Sequence, residues 1–208
     1  MTQPEIRARG PTRRATLLML GATALAACRH GKPFHSVDVT GALPALDFTL
    51  TRASDGRTVT QADYRGALVM LFFGYTHCPD VCPLTMGNLA QVLDRMGDGA
   101  RDIRVLFVTV DPNRDTPGVL ARYSAQFGPG VEALRGTDNQ LADVTRRYRV
   151  TYKVTPPHGS QPYRVIHGPS VYVFGPRGRA RLLIPRLYDA GADVAGVTED
   201  MTRLVKGA

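Results

Sequence analysis

The stretch from Ala67 to Leu84, ALVMLFFGYTHCPDVCPL, constrains the fold of this chain more than any other. Its uninterrupted apolar run of Val, Leu, Met and Phe reads as a strand buried on both faces, the pattern of a strand inside a parallel sheet. The run stops at Gly74 and opens into a loop holding Cys78 and Cys82, each followed by a proline. Pro83 suits the first turn of a helix, where its missing N–H costs nothing. Both sulfurs therefore fall at a strand-to-helix junction, where unpaired N–H groups and the helix dipole favour thiolate over thiol. Two thiolates so placed can close a disulfide or hold a soft metal ion.

The rest of the chain supplies a frame for that loop. Leu46–Thr51 and Thr58–Thr60, joined through Asp55-Gly56, read as a β-hairpin. Leu84, Leu89, Val92, Leu93 and Met96 recur at helical spacing until Gly97 and Gly99 stop them. Arg104–Val110 is a second buried strand, and DPNRDTP after it offers a cap at Asp115 or Thr116 and a helix start at Pro117. A short strand at Glu132–Leu134 and a helix over Asn139–Tyr148 follow. A polar loop, Thr155–Tyr163, leads to a strand over Val165–Phe174, a turn at Gly175–Gly178, a strand over Arg179–Ile184 and a last helix over Asp193–Lys206. Such alternation implies an α/β domain with parallel strands and crossover helices, and functional groups gather at the carboxyl ends of those strands.

The N-terminus reads as a processing segment. Arg7, Arg9, Arg13 and Arg14 precede a short apolar run, Ala15–Ala27, too brief for an ordinary membrane span, so residues 1–27 are expected to be a signal peptide. Leu25-Ala26-Ala27-Cys28 resembles a lipoprotein signal in which Cys28 becomes the lipidated first residue, anchoring an exported protein to a bacterial membrane on its periplasmic or outer side. Residues 28–43 then form a linker carrying His30 and His35, and residues 44–208 the domain. Loss of residues 1–27 removes four arginines and one glutamate, so the net charge falls from +8 to +5. The remaining basic residues are scattered without interleaved aromatics, which gives no support to nucleic-acid binding. With Cys28 lipidated, Cys78 and Cys82 are the only thiols left in an exported chain, a compartment where cysteines pair whenever geometry allows.

FFGYTHCPDVCP at Phe72–Pro83, VDPNRDTP at Val110–Pro117 and the late His167 before Val171–Gly178 resemble the SCO/SenC family of copper chaperones. The resemblance covers most of the chain from Leu46 onward. It implies a thioredoxin-like α/β fold, here with an N-terminal β-hairpin extension and a middle insertion. It also implies copper held by Cys78, Cys82 and His167, and delivery to the copper A centre of cytochrome c oxidase during assembly. Soft thiolates select Cu(I) and an imidazole completes a three-coordinate site, which agrees with that ligand set. Many members of the family carry Asp before the histidine. This chain has Ile166, so a carboxylate contribution from that position is absent. Pro169 stands where thioredoxin-like redox proteins place a cis-proline, which tilts the reading toward thiol exchange.

The alternative is an enzyme: a thiol:disulfide oxidoreductase in which Cys78 and Cys82 are a redox-active pair that reduces partner cysteines before metallation. A peroxidase reading lacks the PxxxTxxC pattern, and a structural zinc site needs four protein ligands. His77 is read as tuning or surface, His158 as exposed, and Asp111 either as a turn former or as a group that orients a partner.

Overall fold

The computed structural model describes residues 32–158 and 163–207. Cys28, His30 and the expected signal peptide and cleavage site lie outside the described residues. The centre is a sheet of eight strands: β1 (Val37–Asp38), β2 (Thr49–Arg52), β3 (Thr58–Thr60), β4 (Leu68–Gly74), β5 (Ile103–Thr109), β6 (Val131–Arg135), β9 (Val171–Phe174) and β10 (Ala180–Ile184), in the order β1-β10-β9-β4-β5-β6-β2-β3. Strands β4, β5 and β6 run parallel, and β9, β10 and β1 continue the sheet antiparallel on one side. The N-terminal hairpin β2–β3 joins the other side through β2 and β6. Every residue of β4 is buried, as a two-faced apolar run requires.

Helices α1 (Val81–Met96), α2 (Pro117–Ala125), α3 (Asp138–Arg147) and α4 (Val194–Val205) cross between or follow these strands. Thr116 caps α2 from its side chain with Pro117 at the first position, and Thr137 caps α3 in a reciprocal box with Gln140. Helix α1 starts three residues earlier than the spacing from Leu84 suggests. That rotation puts Cys82, Thr85, Met86, Leu89 and Val92 on the buried face and leaves Leu84 exposed. No helix among the described residues is long and apolar enough to cross a membrane.

Two expectations are corrected. Val165–Phe174 is two strands: β8 (Arg164–His167) pairs with β7 (Tyr152–Thr155) in a separate two-stranded ribbon, and only β9 enters the main sheet. The break falls at Gly168-Pro169-Ser170, where proline has no N–H to give a ladder. The second concerns residues 34–43, expected as linker. The His35 and Ser36 N–H groups donate to the buried Asp200 carboxylate of α4 at 3.0 and 2.7 Å, and β1 pairs with β10. His35 sits within hydrogen-bond reach of Asp193 and Glu199 instead of standing free.

Candidate metal centre

The carboxyl end of β4 positions the cysteines. Gly74 must be glycine here, because a Cβ would stand 2.7 Å from the Phe107 ring and 3.0 Å from the Cys82 sulfur. Beyond it the chain turns so that the Cys78 N–H donates to the Tyr75 carbonyl at 3.3 Å, and α1 begins. Cys82 lies on the buried face of the first turn of α1, while Cys78 is half-buried at the rim. The Cys82 N–H points at the Cys78 sulfur from 3.4 Å.

His167 arrives from the far side on β8. Its Nε2 is 3.2 Å from the Cys82 sulfur, and its Nδ1 is 3.0 Å from the Gly168 carbonyl oxygen. A carbonyl only accepts, so Nδ1 carries the proton and Nε2 turns its lone pair toward the sulfurs. The ring lies edge-on to Phe72 and Tyr75, with centroids 6.0 and 5.7 Å away. Ligand atoms of Cys78, Cys82 and His167 all fall within 4.8 Å of one another, and among the described residues no carboxylate joins the group. Two sulfurs and a neutral imidazole nitrogen are a soft, three-donor set that fits Cu(I) and falls short of the four donors of structural zinc.

The two thiols differ in electrostatics. Hydrogen bonding from Cys82, joined by the N–H groups of Asp80 and Cys82, outweighs burial and brings Cys78 down to about 3. The Cys78 thiolate and burial together push Cys82 up. Burial, with the neighbouring Cys78 charge, raises Tyr75 to about 12, so its phenol stays protonated.

Around the sulfurs is a shell of residues whose contacts the sequence did not pair. Asp115 is fully buried; its carboxylate accepts from the Thr76 N–H at 3.0 Å and from the Thr76 and Thr109 hydroxyls, fixing the loop before Cys78 to the end of β5. The GYTHC and DPNRDTP motifs contain both ends of this contact, so the signal was present in the sequence without its pairing. Asp111 is also buried and accepts from Tyr163 and Arg114. His77 lies outside the donor cluster, half-exposed, with its Nδ1 3.4 Å from Asp115. His158 is exposed beyond the end of β7 and does not join the cluster. Ile166 faces solvent, 58% exposed, because neighbours along a strand point to opposite sides. It nonetheless borders the same cleft as Cys78 and His167, so an acidic residue at 166 would stand on the rim of the site, outside the cluster of the two sulfurs and the imidazole. Every described peptide bond is trans, including the one before Pro169. Pro169 borders an open cleft of about 340 Å³ over the site, with Tyr75, Cys78, Pro79, Val81 and Tyr188.

Comparison with known proteins places this geometry among relatives. Residues 37–205 match the family model described as SCO1/SenC. The chain is 38% identical over 150 residues to the mitochondrial protein SCO2 homolog of Bos taurus, covering 71% of this chain and 55% of that protein. It is 38% identical over 133 residues to the mitochondrial SCO1 homolog of Homo sapiens, covering 63% of this chain and 44% of that one. The chain thus spans about half the length of the curated relatives it matches. Among solved structures, Bradyrhizobium japonicum ScoI with copper bound is similar at 33% identity and a TM-score of 0.68, over 77% of this chain and 98% of that one. Yeast Sco1 with copper bound is similar at 29% identity and a TM-score of 0.68, over 79% and 91%.

Proposed function

This chain belongs to the SCO1/SenC family, and on that premise we propose that it is a copper chaperone that delivers copper to the copper A subunit of cytochrome c oxidase. The observation that carries the reading is the convergence of Cys78, Cys82 and His167 ligand atoms within 4.8 Å, at the mouth of a cleft and on elements far apart in sequence. The similarity to ScoI and Sco1 with copper bound supports the same cargo here. Copper is the substrate, held for transfer.

The chain's own groups suit a handover. Cys78 is the more exposed sulfur, so a partner thiolate entering from the cleft would add to the copper on that side and Cys78 would leave as the thiolate it already is. His167 contributes a neutral donor from a separate ribbon, and withdrawing it costs no proton transfer, since Nδ1–H stays on the Gly168 carbonyl. Stepwise replacement of one donor at a time keeps the ion coordinated while it passes from this chain to the partner. Cys82, buried behind both, is the last to let go.

A thiol:disulfide oxidoreductase acting on the partner's cysteines is the second reading. It is favoured by the contrast between a Cys78 thiolate and a buried Cys82 thiol, the asymmetry of an attacking and a resolving cysteine. The deciding experiment is Cu(I) titration of the reduced protein against a chelator, followed by transfer to a reduced copper A domain. One ion bound per chain and passed on is the expected result. Stoichiometric tight binding that survives replacement of Cys78 and Cys82 by Ser would remove the site.

Lipidation at Cys28, export and membrane anchoring complete the proposal, with residues 1–27 as signal peptide. An anchored chaperone would face a membrane-bound oxidase subunit, and several acyl chains hold more firmly than one. Intact mass of the membrane-extracted protein tests this: a mature chain beginning at diacylated Cys28 is expected, and a free N-terminus at another residue would overturn it.

A further inference from the structure

His167 rides on a ribbon that shares no ladder with the main sheet. Among the described residues, strands β7 and β8 pair only with each other, over Tyr152–Thr155 and Arg164–His167. A two-stranded ribbon alone is marginally stable in water. Something outside the ladder has to hold it over the cysteines if Nε2 is to stay 3.2 Å from Cys82.

Val165 packs into the core with Tyr152 and Val154 against it, and the polar contacts that fix the ribbon's position begin at Tyr163, immediately before β8 and four residues ahead of His167. Its hydroxyl donates to Asp111 Oδ1 at 2.6 Å. The other oxygen of the same buried carboxylate accepts from Arg114 Nε. The Arg114 guanidinium lies 3.8 Å over the Tyr163 ring and reaches toward the Tyr75 ring, 5.8 Å away on the cysteine loop. Asp111 and Arg114 belong to one tight turn after β5, closed by the Arg114 and Asp115 N–H groups on the Asp111 carbonyl. That turn ends in Asp115, which fixes the cysteine loop through Thr76. One short segment, Asp111–Asp115, is thereby tied to both halves of the donor set.

We propose that Tyr163 is a positioning residue for His167: its hydroxyl, seated on Asp111 and stacked under Arg114, latches the β7–β8 ribbon to the turn that also holds the cysteine loop. The latch fixes the third donor to the two sulfurs. The proposal rests on the copper reading for its purpose, and on contacts away from the sulfurs for its mechanics. A hydrogen bond to a charged acceptor in a low-dielectric setting is worth enough to shift an open–closed equilibrium by about tenfold or more.

The test uses Tyr163→Phe, which keeps the ring and its stacking on Arg114 and removes only the hydroxyl, so the domain stays folded. In the reduced apo-protein, amide hydrogen exchange of Arg164 and Ile166, whose N–H groups face β7, should rise by about tenfold, with β4 and β5 unchanged. In a Cu(I) chelator competition the variant should bind about tenfold more weakly, and X-ray absorption should show the Cu–N contribution diminished beside intact Cu–S. The same substitution made in a His167→Ala background should then cost nothing further, because Tyr163 acts through the imidazole. Unchanged exchange in β8, unchanged affinity in the parent background, or a loss that persists with His167→Ala would each overturn the latch. Should the parent protein bind no Cu(I), the proposed function falls, and the exchange measurement alone then decides whether Tyr163 closes the ribbon.

Discussion

Gly74 and Cys78 carry consequences out of proportion to their size. At Gly74 an added methyl would meet Phe107 at 2.7 Å and the Cys82 sulfur at 3.0 Å, and the Phe107 ring is fully buried with no room to swing. Gly74→Ala should therefore cost about 1–3 kcal/mol by overpacking and displace Cys82 from His167. Urea unfolding together with Cu(I) affinity will read both effects, and a variant unchanged in each would show that the β4 end has slack. Cys78 predicts a pH signature. Its folded-state pKa is depressed to about 3, mainly by Cys82, from an ordinary thiol value near 9. A depressed acid stabilises the fold fully above the unfolded pKa and loses that contribution as pH falls from about 9 toward about 3. Because Cys78 is already thiolate, its alkylation by iodoacetamide should be nearly flat between about pH 5 and 8, where a free thiol gains about tenfold per unit. Cys82, buried and pushed the other way, should react slowly throughout. A tenfold-per-unit slope at Cys78 would contradict the coupling of the two sulfurs.

At the scale of the element, the β7–β8 ribbon makes the alternation of a strand decisive. His167 turns toward the sulfurs and Ile166 toward solvent. His167→Ala should weaken Cu(I) binding substantially while leaving Cys78 and Cys82 able to form a disulfide at a similar potential, since thiol exchange needs no distant imidazole. Ile166→Asp should change Cu(I) affinity by less than about threefold, because a carboxylate at 166 stands on the cleft rim outside the cluster of Cys78, Cys82 and His167 ligand atoms and is a hard donor for a soft ion. The same chelator competition measures both; a large gain from Ile166→Asp would mean that the ribbon can turn over. This ribbon also marks where the sequence stops being legible. The buried strands β4 and β5 and the caps at Thr116 and Asp193 are visible as local runs and local chemistry. Gly168-Pro169 marks the split of Val165–Phe174, but the destination of each half is not legible, because both are apolar and β-branched. Their partners, β7 for one and β4 and β10 for the other, are chosen by long-range pairing. The residues that cluster at the candidate site, Cys78, Cys82 and His167, were singled out through motif resemblance. Asp115 and Tyr163 were not, since a carboxylate in a turn and a tyrosine beside a loop take their meaning from what they touch.

Over the whole molecule, the N-terminal segment decides where the folded unit begins, and residues 34–43 do more than connect. The Asp200 carboxylate is fully buried in α4 and is satisfied by the N–H groups of His35 and Ser36 at 3.0 and 2.7 Å. Strand β1 extends the sheet on β10, and Phe34 lies under the Arg203 guanidinium at 4.2 Å. The compact unit accordingly runs from Phe34, ahead of the boundary at residue 44 that composition suggests. A chain beginning at residue 44 loses two hydrogen bonds to a charged acceptor, a strand pairing and an aromatic contact. At roughly 1.5–3 kcal/mol for each charged hydrogen bond, a loss of several kcal/mol is expected, about 5–15 °C in Tm for a domain of this size. Asp200→Ala in a chain beginning at residue 34 should account for much of the same drop, because it leaves two N–H groups without their acceptor. Made in the chain beginning at residue 44, Asp200→Ala should be nearly silent, since its partners are already gone. This cycle separates a specific strap from a general effect of length. Equal Tm values for the two chain lengths would put the boundary back at residue 44. A full additive loss in the shorter chain would mean that Asp200 stabilises α4 on its own account, independent of the segment bonded to it.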